Sequence, residues 1–165
     1  VPISEDYMRH AREKASSVGI LQGSITGGTS NIVGAIGEII VADTIGATEA
    51  NTVNYDLVKD GNRIDVKTKR CNTRPQPNYD CSVASHGTKQ DCDSYVFVRI
   101  LTDLSKAWIL GSIPKKKYYE EATRYKKGQV DPSNGFTFRT DCYNLPISNL
   151  EPINEIKSQS KTILD

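Results

Sequence analysis

The stretch Asn54-Tyr55-Asp56-Leu57-Val58-Lys59-Asp60-Gly61-Asn62-Arg63-Ile64-Asp65-Val66-Lys67-Thr68 decides how this chain is read. Two alternating runs flank Asp60-Gly61, a dipeptide strongly favoured in two-residue hairpin turns. A two-residue loop pairs Lys59 with Asn62, Leu57 with Ile64, and Asp56 with Asp65. Strand alternation sets Lys67 on the side of Asp56 and Asp65, and Tyr55, Leu57, Ile64 and Val66 on the other. Carboxylates opposed across a hairpin repel, with Cβ atoms about 4.5–5.5 Å apart. The pattern therefore points to a cation held between them, with a lysine two residues on.

Just before the hairpin, Asn31 to Ile45 predicts a helix closed by Gly46. Ile32, Ile36, Ile39 and Ile40 share one side, and Gly34, Val41, Ala42 and Ile45 the other, so the helix is expected to be largely buried. Glu38 and Asp43 are its only charged residues. An unpaired carboxylate fares badly beside Gly34, Val41, Ala42 and Ile45. Three settings fit Glu38: a partner arginine or lysine, a solvated helix edge, or a metal site. Gly34 and Gly37 would let another segment approach it closely.

Upstream, residues 4–18 predict a helix with Ser4 as N-cap, Gly19 at its end and a narrow stripe of Met8, Ala11, Ala15 and Val18. His10 lies off that stripe, at the surface. Gln22 to Ser30 reads as a loop; its Gly27-Gly28 lacks the Lys-Ser/Thr ending of a phosphate-binding loop. Strands are predicted at Val53–Val58, Arg63–Lys69, Tyr79–Ser85, Ser94–Leu101 and Ala107–Ile113, with the Ser94 run covered on both faces. Pro114 opens a third helix expected to reach Tyr125, with Tyr118, Ala122 and Tyr125 inward. Lys115, Lys116, Lys117, Arg124, Lys126 and Lys127 form its basic exterior, either a solvated face or a contact with a DNA backbone. Phe136–Thr140 and Tyr143–Leu145 read as short strands, and Glu151–Asp165 as a peripheral tail.

A length of 165 residues without internal repeat or linker suits one domain, residues 1–165. The fold class expected is α/β, a central mixed β-sheet flanked by helices. A net charge of +1 places any nucleic-acid binding in local patches, not in an overall positive field. No run of about 18 apolar residues is present, so no membrane span is expected. No signal peptide is visible, although Val1-Pro2 opens the chain without a methionine, and a cytoplasmic location is expected. Cys71, Cys81, Cys92 and Cys142 lack the close pairing of zinc ligands, which favours reduced thiols; a Cys71–Cys81 disulfide stays open.

With Gly37-Glu38 on a helix, Tyr55-Asp56-Leu57 on the first hairpin strand and Asp65-Val66-Lys67 on the second, the chain resembles the PD-(D/E)XK, or restriction-endonuclease-like, nuclease superfamily. The resemblance spans about residues 30–114 and departs from the nominal pattern in having Tyr55 where a proline precedes the first aspartate. Asp65 stands where glutamate is also frequent. It implies Asp56 and Asp65 as Mg²⁺ ligands, with the Val66 carbonyl as a third. It implies Glu38 completing the site directly or through water, and Lys67 as the catalytic lysine. Mn²⁺ is an expected substitute, DNA the expected partner, and a homodimer a common arrangement in the superfamily. Gln90 and Tyr95 are not matched to the glutamine and tyrosine, four apart on a helix, of some exonuclease branches. Here they are five apart and lead into a strand.

The expected activity is thus metal-dependent DNA hydrolysis, as an endonuclease. The alternative is a non-catalytic nucleic-acid-binding module on the same fold. A third reading, a small-molecule or protein-interaction domain, would lack a basic groove leading to Asp56 and Asp65. With only His10 and His86, the chain lacks the histidines of a ββα-metal site, and no serine or cysteine has a local histidine base.

Overall fold

The computed structural model describes residues 1–22 and 29–155. Its elements run α1 (Glu5–Gln22), α2 (Thr29–Ile45), β1 (Thr48–Glu49), β2 (Leu57–Lys59), β3 (Asn62–Cys71), β4 (Asp80–Ala84), β5 (Ser94–Leu101), β6 (Ala107–Pro114), α3 (Lys115–Glu121), β7 (Thr123–Tyr125) and β8 (Cys142–Pro146). A 3-10 turn at Ser85–Lys89 precedes β5. The five-stranded central sheet has the order β1-β2-β3-β5-β6 and is mixed: β3 and β5 are parallel, the other pairs antiparallel. A second sheet, β4-β8-β7, was not expected from the sequence.

Three layers follow from the alternation of β5. Val96, Val98 and Ile100 turn to the helices and join Ile64, Val66, Ile36, Ile40 and Val41 in one core. Tyr95 and Phe97 turn the other way and meet Tyr118 of α3 and Cys81, Val83 and Leu145 of the small sheet in a second core. Burying each such side chain contributes about 1.5–3 kcal/mol, so β5, buried along nearly its whole length, anchors both layers. All four cysteines are free thiols, and burial pushes those of Cys81 and Cys92 up, to about 12 and about 11. Among the described residues no helix is long and apolar enough to cross a membrane.

The hairpin turn has the expected length: Lys59 pairs with Asn62 and Leu57 with Ile64. Asp60 and Gly61 both take positive φ, 48° and 78°, as this turn requires. The ladder then stops short of Asp56. The Asp56 N–H donates to the Ile64 carbonyl at 2.9 Å, so two successive residues, Asp56 and Leu57, address Ile64 as in a β-bulge. The Asp56–Asp65 backbone pair expected from the turn is therefore not formed. The extra residue also breaks the alternation, and Tyr55 packs with the second core while Leu57, Ile64 and Val66 fill the first.

Other expectations are revised by long-range pairing. The strand expected from Val53 begins only at Leu57, because Thr52 and Tyr55 close a local turn through the Thr52 hydroxyl. Helix α1 runs through Gly19 to Gln22, with Ser4 Oγ accepting from the Tyr7 N–H as its cap. Most of the loop expected at residues 22–30, including Gly27-Gly28, lies outside the described residues. Helix α3 ends at Glu121, since Thr123–Tyr125 pairs with β8 instead. Phe136–Thr140 forms only a bridge between Val130 and Thr137. The start of the expected tail is docked: Glu151 bridges to Ser112 of β6, against Gly111 at φ 145°, where a Cβ would come within 2.5 Å of the Glu151 carbonyl.

Candidate functional site

The site lies where β2 leaves β3. Past Ile64 the β2–β3 ladder has no further backbone pair among the described residues, and the Asp56 side chain takes over: its Oδ2 accepts from the Val66 N–H at 2.8 Å. In an extended strand the N–H and C=O of one residue share an edge, so the Val66 carbonyl points to the edge where Asp56 stands. Asp65 is buried, and its Oδ2 has no hydrogen-bond partner in good geometry. The Lys67 ammonium lies 2.8 Å from that oxygen as an ion pair.

Asp56 lies within the field of two other carboxylates. Burial, then the charges of Glu38 and Asp65, push the Asp56 carboxyl up to about 8, against the pull of the Val66 N–H. Glu38 reaches this neighbourhood because α2 lies close on β3: a Cβ on Gly37 would fall 1.9 Å from Thr68 Oγ1. Among the described residues Gly34 meets nothing within 4 Å, whereas Gly37 serves close approach. The Lys59 ammonium donates to the Ile45 carbonyl at 2.5 Å, joining the hairpin to the C-terminal end of α2.

Two residues at the site were not assigned to it from the sequence. Lys14 of α1, almost buried, lies 2.5 Å from Glu38 Oε2 and 2.6 Å from Glu49 Oε1. Of the three settings open to Glu38, a lysine partner is thus realised, while its charge still acts on Asp56. A lysine set between Ala11 and Ala15 on a small-residue stripe was the available signal. Gln90 bridges the pair on β3: Lys67 Nζ donates to its Oε1 at 3.0 Å, and its Nε2 donates to Asp65 Oδ1 at 3.1 Å. The 3-10 turn sets Gln90 there, with the Gln90 N–H donating to the Gly87 carbonyl and Lys115 Nζ donating to the Thr88 and Gln90 carbonyls. Lys115 is therefore not part of a free basic exterior, and Lys117 pairs with Glu151 at 3.2 Å. Tyr95 also lies at the site, with Lys67 Nζ 5.8 Å from its ring centroid. Gln90 and Tyr95, set aside on spacing, both stand beside Lys67.

Among the described residues no three histidine, cysteine, aspartate or glutamate side chains are gathered closely enough to hold an ion as they stand. The donor chemistry nonetheless fits a hard dication. Mg²⁺ takes oxygen ligands and needs only one or two protein carboxylates. Asp56 and Asp65 supply these, and the Asp65 oxygen left out of the hydrogen-bond network faces the Lys67 ammonium. Comparison of the chain with family models and with curated proteins finds no match.

Proposed function

We propose that this chain is a Mg²⁺-dependent nuclease that hydrolyses phosphodiester bonds of DNA as an endonuclease, on a restriction-endonuclease-like core. The reading rests on one observation: Asp56 and Asp65 are crowded at a strand edge within the field of Glu38, beside Lys67 on the face of Asp65. Excess buried negative charge of this kind suits a site built for a cation. The packing of α2 against β3 and the parallel β3–β5 pair support the core assignment.

Asp56, Asp65 and the Val66 carbonyl would hold the ion, with Glu38 completing the shell through water and Mn²⁺ able to substitute. Bound there, the ion supplies Lewis-acid chemistry at a phosphate oxygen. Lys67 brings a compact charge with three donors, suited to orient the attacking water and to offset charge gathering on the phosphoryl oxygens. Gln90 sets the direction of that ammonium and holds Asp65 by its other end.

Incubation with supercoiled, linear and branched DNA in Mg²⁺, Mn²⁺ or EDTA tests the proposal. Metal-dependent cleavage is expected, and it is abolished in folded Asp65→Ala and Lys67→Ala proteins. Activity surviving in either variant overturns the site. The non-catalytic DNA-binding module draws support from the protein cations already facing two of the carboxylates, Lys14 at Glu38 and Lys67 at Asp65. DNA retention without cleavage under every metal condition selects it.

A further inference from the structure

The face of β3 that carries Asp65 and Lys67 continues to Lys69, about 6.6 Å farther along the strand. The parallel register sets Lys67 beside Phe97 and Lys69 beside Arg99. A hollow of about 230 Å³ reaches from Lys67 to Lys69 and Arg99. Those two cations also line a larger cavity of about 380 Å³. The candidate active site and the larger cavity are thus joined along one strand.

Arg99 is 9% exposed, and its guanidinium donates to the Asp80 carbonyl at 2.7 Å. Among the described residues it has no ion-pair partner, and neither has Lys69. Lys69 is exposed at the rim, but the packing around its ammonium, and then the Arg99 charge, hold that group below its ordinary value. Two neighbouring cations of this kind favour an anion between them. The carboxylates of Asp80 and Asp131 line the same cavity, so the ligand must offer hydrogen-bond donors as well as negative charge. Asp131 Oδ1 already accepts from the Ser133 N–H and hydroxyl. Ser82 Oγ donates to Asn144 Oδ1, and among the described residues the Asn144 N–H₂ has no hydrogen-bond acceptor. Two exposed aromatic side chains, Tyr79 and Phe136, border this one cavity. Phe136 packs at 85° against Phe138, which itself stacks on Tyr125.

We infer that this cavity is a nucleotide subsite: Lys69 and Arg99 take a phosphate, Phe136 and Tyr79 flank a base, and Asn144 and Asp131 meet its polar groups. Resting on the nuclease reading, it receives the unit of the same strand next to the phosphate held at Lys67. The cavity volume lies near the lower end of the range of about 300–1,000 Å³ for small-molecule sites. Stacking on aromatic side chains with phosphates on cations is the usual chemistry of single-stranded nucleic-acid sites.

The test titrates the full chain in EDTA with the four deoxynucleoside 5′-monophosphates, deoxyadenosine, inorganic phosphate and a short single-stranded oligonucleotide. Saturable binding of the monophosphates is expected, with affinity about tenfold or more above deoxyadenosine or phosphate. Lys69→Met and Phe136→Ala, both at exposed positions, each weaken it by about tenfold. The oligonucleotide displaces the monophosphate. Phosphate binding as tightly as the nucleotides, no binding at all, or insensitivity to Lys69→Met and Phe136→Ala overturns the subsite. Monophosphate binding that the oligonucleotide does not displace overturns its role in holding a strand. Because no cleavage is read, a chain that never cuts DNA but binds nucleotides here refutes the nuclease reading and not the pocket.

Discussion

The Val66 N–H donates to Asp56 Oδ2 at 2.8 Å, so a side chain fills the ladder position that the β2 backbone vacates. This fixes the carboxylate at the strand edge, where burial and two other carboxylates disfavour its charge. Its folded value near 8 exceeds the unfolded value of about 3.9, so the folded state binds the proton more tightly. The associated stability is fully present below about pH 4 and is lost as pH rises through about 8. Thermal unfolding in EDTA is expected to show this decline. Asp56→Asn, which keeps an acceptor for the Val66 N–H, is expected to flatten it and to melt higher than the parent near pH 8. Superimposable pH profiles would remove Asp56 as the group responsible.

Gln90 holds Lys67 and Asp65 at once, and neither hydrogen bond needs a charge on the glutamine. Gln90→Leu keeps much of the volume and frees both partners. Lost outer-shell support of this kind typically costs about 10–100-fold. Cleavage kcat is expected to fall by about that factor, with KM little changed. An unchanged kcat would show that Lys67 and Asp65 orient themselves without it.

How legible this fold was depended on the range of each interaction. The Asp60-Gly61 turn, the end of α2 at Gly46, and β5 were all readable, because turn chemistry and periodicity are properties of neighbouring residues. The bulge at Asp56 was not, since alternation through Tyr55 gave no local sign of it. Helix α3 looked longer because Ala122 and Tyr125 continue its stripe, yet pairing of Thr123–Tyr125 with β8 prevails. Lys14 was missed as a site residue because its partners lie on other elements, and Gln90 was set aside because its spacing to Tyr95 does not fit a helix; only the packed chain brings them to Glu38 and Lys67.

Gly37 is where α2 comes closest to β3, with its missing Cβ 1.9 Å from Thr68 Oγ1 and 3.2 Å from Thr68 Cγ2. Gly37→Ala must move the helix or turn the threonine, and overpacking of this kind costs about 1–3 kcal/mol. Urea unfolding should show that loss despite the higher helix propensity of alanine. Thr68→Ala removes Oγ1 and Cγ2 and leaves only the Thr68 Cβ at 3.0 Å, so the double variant is expected to be more stable than the sum of the single changes predicts. Additive losses would mean that the helix relaxes elsewhere.

Lys14 occupies the position of greatest consequence in the metal-free protein, because its ammonium serves Glu38 and Glu49 together with little solvent around it. Hydrogen bonds and the charges of both glutamates hold the ammonium above its ordinary value despite the opposing cost of burial. Lys14→Met keeps the apolar stem and deletes the charge, leaving the Glu38 and Glu49 carboxylates without this partner. Breaking a largely buried pair costs on the order of 3 kcal/mol, and the melt in EDTA should fall accordingly. Mg²⁺ should then restore more stability to the variant than to the parent, since the ion meets a cluster carrying one more uncompensated negative charge. Calorimetric titration should report tighter Mg²⁺ binding to Lys14→Met. Equal or weaker binding would mean that Glu38 lies outside the field of the ion, and would confine the metal site to Asp56 and Asp65.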